Sequence, residues 1–274
     1  MDIKILFLIL VPLGTAFLIP LIDLINAKLR RFFVLLGVLL ESYLIITIIT
    51  GNLDNFRNGD FFLQYFLGGW RPPLGITLAM DGLSLLFVVI TAVSLFLVVI
   101  YSIGYIGHHE GKYYVLYFLI AAASMGALLT ADLFNIYVFI EMLTITSGAL
   151  IGFKRSEEAS AAAIKYLIYN VLAGLLFFLG VLVVYFNLGT LNMAAVAQNF
   201  ADLESGIQLF ISAIFLTSIL IKMGIFPFLF WLPKSYDTAP SPVTAVLSGI
   251  LSKVYLYIFI RIFWTVIGFE ELLL

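Results

Sequence analysis

The sequence of 274 residues contains no cysteine. That excludes thiolate-held iron–sulfur clusters, cysteine zinc sites, disulfides and c-type haem attachment within this chain. Histidine is almost as scarce: the two present, His108 and His109, are adjacent in a connecting loop. Neighbouring positions do not share a helix face, so a paired-histidine haem inside a bilayer is not expected. No cofactor or metal site is expected of this chain, and any redox chemistry belongs to partner chains. Charge is thin as well: 11% of residues are charged and the net charge is −2, which points away from nucleic acid. There is no soluble domain, linker or low-complexity tract. The first apolar stretch lacks a small-residue cleavage site, so it reads as a retained span.

What remains is hydrophobic. Apolar residues make up 63% of the chain and mean hydropathy is +1.15, the composition of an all-α, polytopic membrane bundle. Apolar runs near the spanning length, bounded by charge, glycine or proline, predict eight spans: 3–22, 32–50, 81–104, 113–131, 133–152, 161–187, 207–230 and 242–267. The segment 51–80 reads as an external loop folded onto the membrane surface. Alternating the connections puts Lys28, Arg30, Arg31, Lys112, Lys154, Arg155, Lys165 and Lys234 on one side and Lys4, Arg57 and Arg71 on the other. By the positive-inside rule the first side is cytoplasmic and the amino terminus lies outside.

Against that background three ionisable residues stand out: Glu141, Lys222 and Lys253. A charge at bilayer depth costs roughly 2.5–3.5 kcal/mol on insertion scales. Glu141 follows Asp132 by nine residues, ~14 Å from that helix end. It is either a structural hydrogen bond to a neighbouring helix or a proton-handling acid. Lys222 precedes Gly224 and Pro227, where loss of a backbone donor predicts a helix break; such breaks at membrane depth line cavities or lie buried in protein. Lys253 lies ten residues past Val243, roughly 15 Å into the last span, with Ser252 and Tyr255 beside it. Lys253 either caps the carbonyls of a broken neighbour or exchanges protons with Lys222 through bridging water, which requires that burial and mutual repulsion depress both pKa values. Glu41, mid-span, meets either a partner subunit or a group within the chain. Asp23, Asp132 and Arg261 fall near span ends and read as interfacial. Tyr65, Trp70, Tyr101, Tyr113, Trp231 and Trp264 read as belt residues, and Ala121–Ala123 with Ser124, Gly126 and Ala127 as a close-packing surface. Asp81, Ser84 and Thr130 do not form a recognisable sodium-ligand set.

Longer motifs carry a resemblance. The stretch Lys222-Met-Gly-Ile-Phe-Pro227-Phe-Leu-Phe-Trp231-Leu-Pro233, continuing through Ala239-Pro240-Ser-Pro242 to Lys253, resembles the antiporter-like subunits shared by respiratory complex I, Mrp-type sodium/proton antiporters and membrane-bound hydrogenases. Asp132-Leu-Phe-Asn135-Ile-Tyr-Val-Phe-Ile-Glu141 and Gly189-Thr190-Leu-Asn192-Met match the same pattern. The Phe-Pro…Phe-Trp-Leu-Pro version leans towards the Mrp and hydrogenase branch. The resemblance implies that the glutamate at Glu141 pairs with the lysine at Lys222 on a broken seventh helix, and that Lys253 continues a water-filled proton path. Two positions depart from the pattern: Lys234 stands where an aspartate commonly follows Trp-Leu-Pro, and Leu229 where complex I has a histidine. Full-length members carry two inverted five-helix repeats and this sequence shows one: either a separate polypeptide supplies the second, or this is a half-channel, or the sequence is a fragment.

The expected organisation is therefore residues 1–112 as three N-terminal helices with the loop 51–80, and residues 113–274 as one five-helix repeat. The expected function is a proton-translocating, or sodium/proton-exchanging, membrane subunit of a multi-subunit complex in a bacterial or archaeal cell membrane. Its expected partners are other membrane subunits, among them a chain supplying the second repeat, and iron–sulfur redox subunits in the hydrogenase-type case. The alternatives are a non-conducting subunit that seals and scaffolds such a complex, and a self-contained solute transporter. The chain offers no nucleophile–base pair for an enzyme acting alone.

Overall fold

A computed structural model describes residues 2–106 and 110–268, so His108 and His109 lie outside the described residues. Eight helices among the described residues are long and apolar enough to cross a membrane. They are α1 (Lys4–Asp23), α2 (Ala27–Gly51), α4 (Gly82–Ser102), α5 (Glu110–Leu129), α6 (Leu133–Ile151), α7 (Glu157–Leu188), α9 (Ser205–Met223) and a last span over Ser241–Val266. Short helices fill the connections: α3 (Leu53–Asn58), α8 (Met193–Asn199) and α10 (Leu232–Thr238). The last span is composite, with α11 (Ser241–Val246) and α12 (Ser252–Ile260) each followed by a wider π-helical turn.

Two boundaries differ from expectation for clear reasons. Helix α2 starts earlier than predicted because the Asn26 side chain caps it, accepting from the Lys28 N–H at 2.8 Å, so the basic first turn is helical. The seventh span ends at Met223 rather than continuing past Pro227. Gly224 follows with φ +64°, a left-handed value that glycine adopts without strain and that closes a helix.

The centre of the bundle is α5, buried along most of its length. Its small residues Ala121–Ala123, Ser124, Gly126 and Ala127 are all buried, which lets neighbouring helices approach closely. Two expected belt residues are instead interior. Tyr113 is fully buried, its ring 5.2 Å from that of Tyr114 and 6.1 Å from that of Tyr117. Trp231 is buried because its indole N–H donates to the Ile221 carbonyl at 2.9 Å. Glu41 is 1% exposed, enclosed by the chain's own helices, and its Oε1 has no hydrogen-bond partner among the described residues.

The segment 51–80 is more ordered than a surface loop. It holds α3 and an antiparallel pair, β1 (Phe62–Phe66) and β2 (Thr77–Asp81), in the register Phe62↔Asp81 to Phe66↔Thr77. Bridges Leu78↔Thr130 and Asp132↔Asn192 extend this ladder across the ends of α5, α6 and α7, giving one end of the bundle a hydrogen-bonded cap. Asp81 closes the cap onto the last span. Its side chain accepts from the Ser84 N–H at 2.9 Å and holds Arg261 through two bonds of 2.7 Å. At the opposite end Glu110 accepts from Arg31 at 2.8 and 3.0 Å and from Arg30, which also reaches Asp23.

Burial alone would push the Asp81 carboxyl up, but Arg261 and Ser84 outweigh it and hold the group well below the usual carboxylate range. The pair's contribution is therefore complete above the unfolded-chain value, about pH 4, and is lost as pH falls through the lower folded value. Removing the guanidinium by Arg261→Gln is expected to cost about 1–2 kcal/mol, below the fully buried range because Asp81 is partly exposed. Thermal melting of the detergent-solubilised protein at neutral pH checks this, and the difference from wild type should vanish in acid.

Candidate functional site

The chain folds so that the polar residues of three helices converge. Helix α6 begins at Asp132, whose side chain accepts from the Asn135 N–H at 2.9 Å. Burial pushes the Asp132 carboxyl up, against the pull of the Asn135 and Phe134 N–H donors. Asn192 caps α8 in the same way, and the backbone bonds Leu133 N–H to Leu191 O and Met193 N–H to Ala131 O, both 2.9 Å, tie the two caps together. The motif residues Asp132, Asn135 and Asn192 thus fix the start of α6 against the end of α7. From there α6 carries Glu141 and, one turn on, Thr144 towards α7 and α9.

Helix α9 supplies Lys222 in its last turn, just before the break at Gly224. The Lys222 side chain is 1% exposed and that of Glu141 is 21% exposed, with 3.3 Å between Nζ and Oε1. The ammonium also donates to Thr144 Oγ1 at 2.9 Å and to the Asn170 carbonyl at 2.8 Å. A lysine has three donors, and all three are matched. The bonds to neutral oxygens are the shorter ones, so Glu141 neutralises the charge without being the lysine's sole support. Separating the carboxylate would leave the amine held by two neutral acceptors.

The break is itself accommodated. Ending α9 at Met223 frees carbonyls of its last turn. The Trp231 indole takes the Ile221 carbonyl, and the Gly224 and Ile225 N–H groups close on Ile221 and Leu220.

Lys253 is not part of the ion pair. It sits at the start of α12, half-buried, with Nζ donating to the Ser248 carbonyl at 2.6 Å and reaching Ser252 Oγ at 3.3 Å. The π-helical turn at Leu247–Leu251 interrupts the regular helical ladder there, and the Ser248 carbonyl accepts from both Lys253 Nζ and the Ser252 hydroxyl, each at 2.6 Å. Between Lys222 and this helix lies a small cavity of about 10 Å³ lined by Lys222, Tyr236, Ser252 and Tyr255 among others. Its volume and polar lining suit one water molecule.

Three contributors are not evident from residue order. Thr144 is one turn past Glu141 on the same face, and Asn170 and Gly174 are one turn apart on α7. That i, i+3/i+4 spacing from a membrane-depth charge is the signal that identifies Thr144. Gly174 matters through its lack of a side chain: a Cβ there would lie 1.8 Å from Glu141 Oε1. The Asn170 contact is through a backbone carbonyl, which carries no sequence signature. Asp81, Ser84 and Thr130 line one cavity of about 260 Å³ near the capped end. There Arg261 occupies Asp81, so the group is an ion-paired latch.

Residues 130–271 match the family described as NADH:quinone oxidoreductase/Mrp antiporter, TM. A Na(+)/H(+) antiporter subunit from Alkalihalophilus pseudofirmus is 36% identical over 235 residues, covering 84% of this chain and 46% of that protein. Among solved structures, the fold matches a chain of an archaeal respiratory complex, the membrane-bound sulfane sulfur reductase, with TM-score 0.90 and 28% identity over 99% of this chain and 56% of the other. A chain of the Mrp complex from Dietzia sp. matches with TM-score 0.84 and 25% identity over 99% of this chain and 50% of the other. The chain spans about half the length of these relatives.

The contact between Gly174 and Glu141 makes a prediction. Gly174→Ala must shift the Glu141 carboxylate, the end of a flexible side chain, and so weaken its contact with Lys222, a loss of about 1 kcal/mol. In a Glu141→Ala background the same change should cost little further. Melting temperatures of the four proteins measure that coupling.

Proposed function

Because the chain belongs to the NADH:quinone oxidoreductase/Mrp antiporter membrane family, we propose that it is an ion-translocating subunit of a multi-subunit membrane complex, with Glu141, Lys222 and Lys253 handling protons. The observation that carries this reading is the buried Glu141–Lys222 pair, 3.3 Å apart, beside the break in α9. A fixed structural pair needs no such surroundings. Here the lysine keeps two good neutral acceptors when the carboxylate withdraws, and a helix end gives it room to move. A nearby carboxylate favours the ammonium, and its departure favours release of a proton. Lys253 is the receiving group, and the support for this is the small cavity between Lys222 and its helix, which Ser252 lines. The step breaks one N–H bond of Lys222, and a bridging water takes that proton and passes one of its own to Lys253, whose amine has first released its proton onward, so only N–H and O–H bonds break and form.

The half-buried state of Lys253 supports a partner. Ser248 is exposed and Ser252 and Lys253 are partly so, at a depth where lipid cannot satisfy them. A further membrane segment covering this face, in the position of a second repeat, resolves that cost. Residues 113–274 would form the ion-handling unit and residues 1–112 its flank. The basic connections support an orientation with the amino terminus outside, and the archaeal respiratory complex that the fold resembles favours a bacterial or archaeal cell membrane. The names of the matched proteins favour two settings, a gradient-driven antiporter, in which sodium is the exchanged ion, and a respiratory complex.

Two experiments test the proposal. In vesicles containing the assembled complex, Lys222→Ala and Lys253→Ala should each abolish ion movement while the complex still assembles; full transport by Lys222→Ala would sink the idea. Gentle extraction of a tagged chain should bring down other membrane chains. Iron–sulfur subunits among them would mark a redox-driven pump, and antiporter-like chains alone would mark a gradient-driven one. Recovery of the chain by itself would contradict the proposal.

A further inference from the structure

One buried ionisable group has no part in the proton path from Lys222 to Lys253. Glu41 stands in the middle of α2, on an inward face otherwise made there of Val34, Gly37, Val38, Ile45 and Ile48. The residue is 1% exposed, and its Oε1 finds no donor among the described residues. Lys222, also buried, is matched by a carboxylate and two neutral oxygens. Glu41 has nothing of the kind.

The helices around it bring no cation. Helix α2 packs mainly against α1 and α4. One turn before Glu41 it also meets α5, since a Cβ on Gly37 would lie 3.0 Å from Thr15 of α1 and 3.1 Å from Phe118 of α5. Helix α1 carries charge only at its two ends, Lys4 and Asp23, and α4 carries none. The charges of α5, Glu110 and Lys112, are both in its first turn. Within α2 the basic residues are Lys28, Arg30 and Arg31. Arg31 precedes Glu41 by ten residues, ~15 Å along the axis, and both arginines are held by Glu110. Lys4 is as remote in the other direction, because its Nζ lies by Gly51, ten residues beyond Glu41. The ionisable group that does face Glu41 is Tyr117 of α5, and its hydroxyl is occupied by the Leu95 carbonyl.

A carboxylate in this place would be a lone buried charge, far more costly than a neutral acid with one unpaired oxygen. We infer that Glu41 is a proton-binding site separate from the Glu141–Lys222 pair: it holds its proton as a neutral acid, and that proton lets α1, α2, α4 and α5 close around it. Binding forms one carboxyl O–H bond, with the proton taken from water as the chain folds. In the unfolded chain a glutamate ionises near about pH 4.3, so at neutral pH the folded chain holds one proton that the unfolded chain has released. Folding of these helices is therefore weakened as pH rises. Loss of the proton in place would set an uncompensated negative charge among them, which makes their packing sensitive to alkali.

Infrared spectroscopy of the protein in its membrane at neutral pH reads the site directly. The wild type should show the C=O stretch of a protonated carboxyl, absent from Glu41→Gln and still present in Glu141→Gln. Glutamine keeps the shape of the acid and has no such proton to lose, so it should also remove one proton from the folding equilibrium. Relative to that variant, the wild-type unfolding constant should rise about ten-fold per pH unit from about pH 5 to 8. Unfolding of the two detergent-solubilised proteins across that range measures the difference, and groups common to both cancel. If Glu41→Gln does not fold, Glu41→Asp should keep the band at a shifted frequency. A wild type without the band, a band unchanged in Glu41→Gln or Glu41→Asp, or equal pH dependence of the two proteins would overturn the site.

Discussion

One constraint organises the interior: an ammonium group sits buried away from bulk solvent. Lys222 is among the largest fully buried side chains of the protein, and a lone charge there is prohibitively expensive. Everything around it answers that cost. Glu141 supplies the opposite charge, Thr144 and the Asn170 carbonyl match the remaining donors, and Gly174 leaves the carboxylate its place. None of these groups is near another in sequence except Glu141 with Thr144 and Asn170 with Gly174, so α6, α7 and α9 adopt this arrangement or the charge is unpaired.

The rest of the bundle holds those three helices in register while leaving α9 incomplete. The cap at the hairpin end joins α5, α6 and α7 by backbone bridges, and the Asp81–Arg261 latch adds the last span. At the other end Glu110 gathers two arginines. Capped ends and an interrupted helix between them are a combination suited to local movement. In the proposed function that local freedom is what turns a buried salt bridge into a switch, and the composite last span, with its shared carbonyl at Ser248, offers Lys253 an equally adjustable seat.

Much of this was legible from residue order. The spans follow from apolar runs, and the stranded charges at Glu141, Lys222 and Lys253 stand out because a bilayer penalises them. The break follows from Gly224 and Pro227. Three kinds of information were not legible. Backbone partners such as the Asn170 and Ser248 carbonyls have no side-chain signature. The fate of aromatic residues is decided by tertiary packing: Tyr113 and Trp231 read as interfacial yet are interior, one through ring contacts and one through its bond to a freed carbonyl. The order within 51–80 depends on pairing with Thr130, some fifty residues away, which local composition does not report. Glu41 shows the same limit from the other side: its depth was evident, and its inward direction required the packed structure.

The central claim is that the charge on Glu141, and its ability to leave Lys222, drives ion movement. The most direct measurement is proton uptake and release by vesicles carrying the complex with Glu141→Gln, a change that keeps shape and hydrogen bonding while removing the charge. The account predicts an assembled complex that moves no ions. Undiminished proton movement by that variant would contradict it.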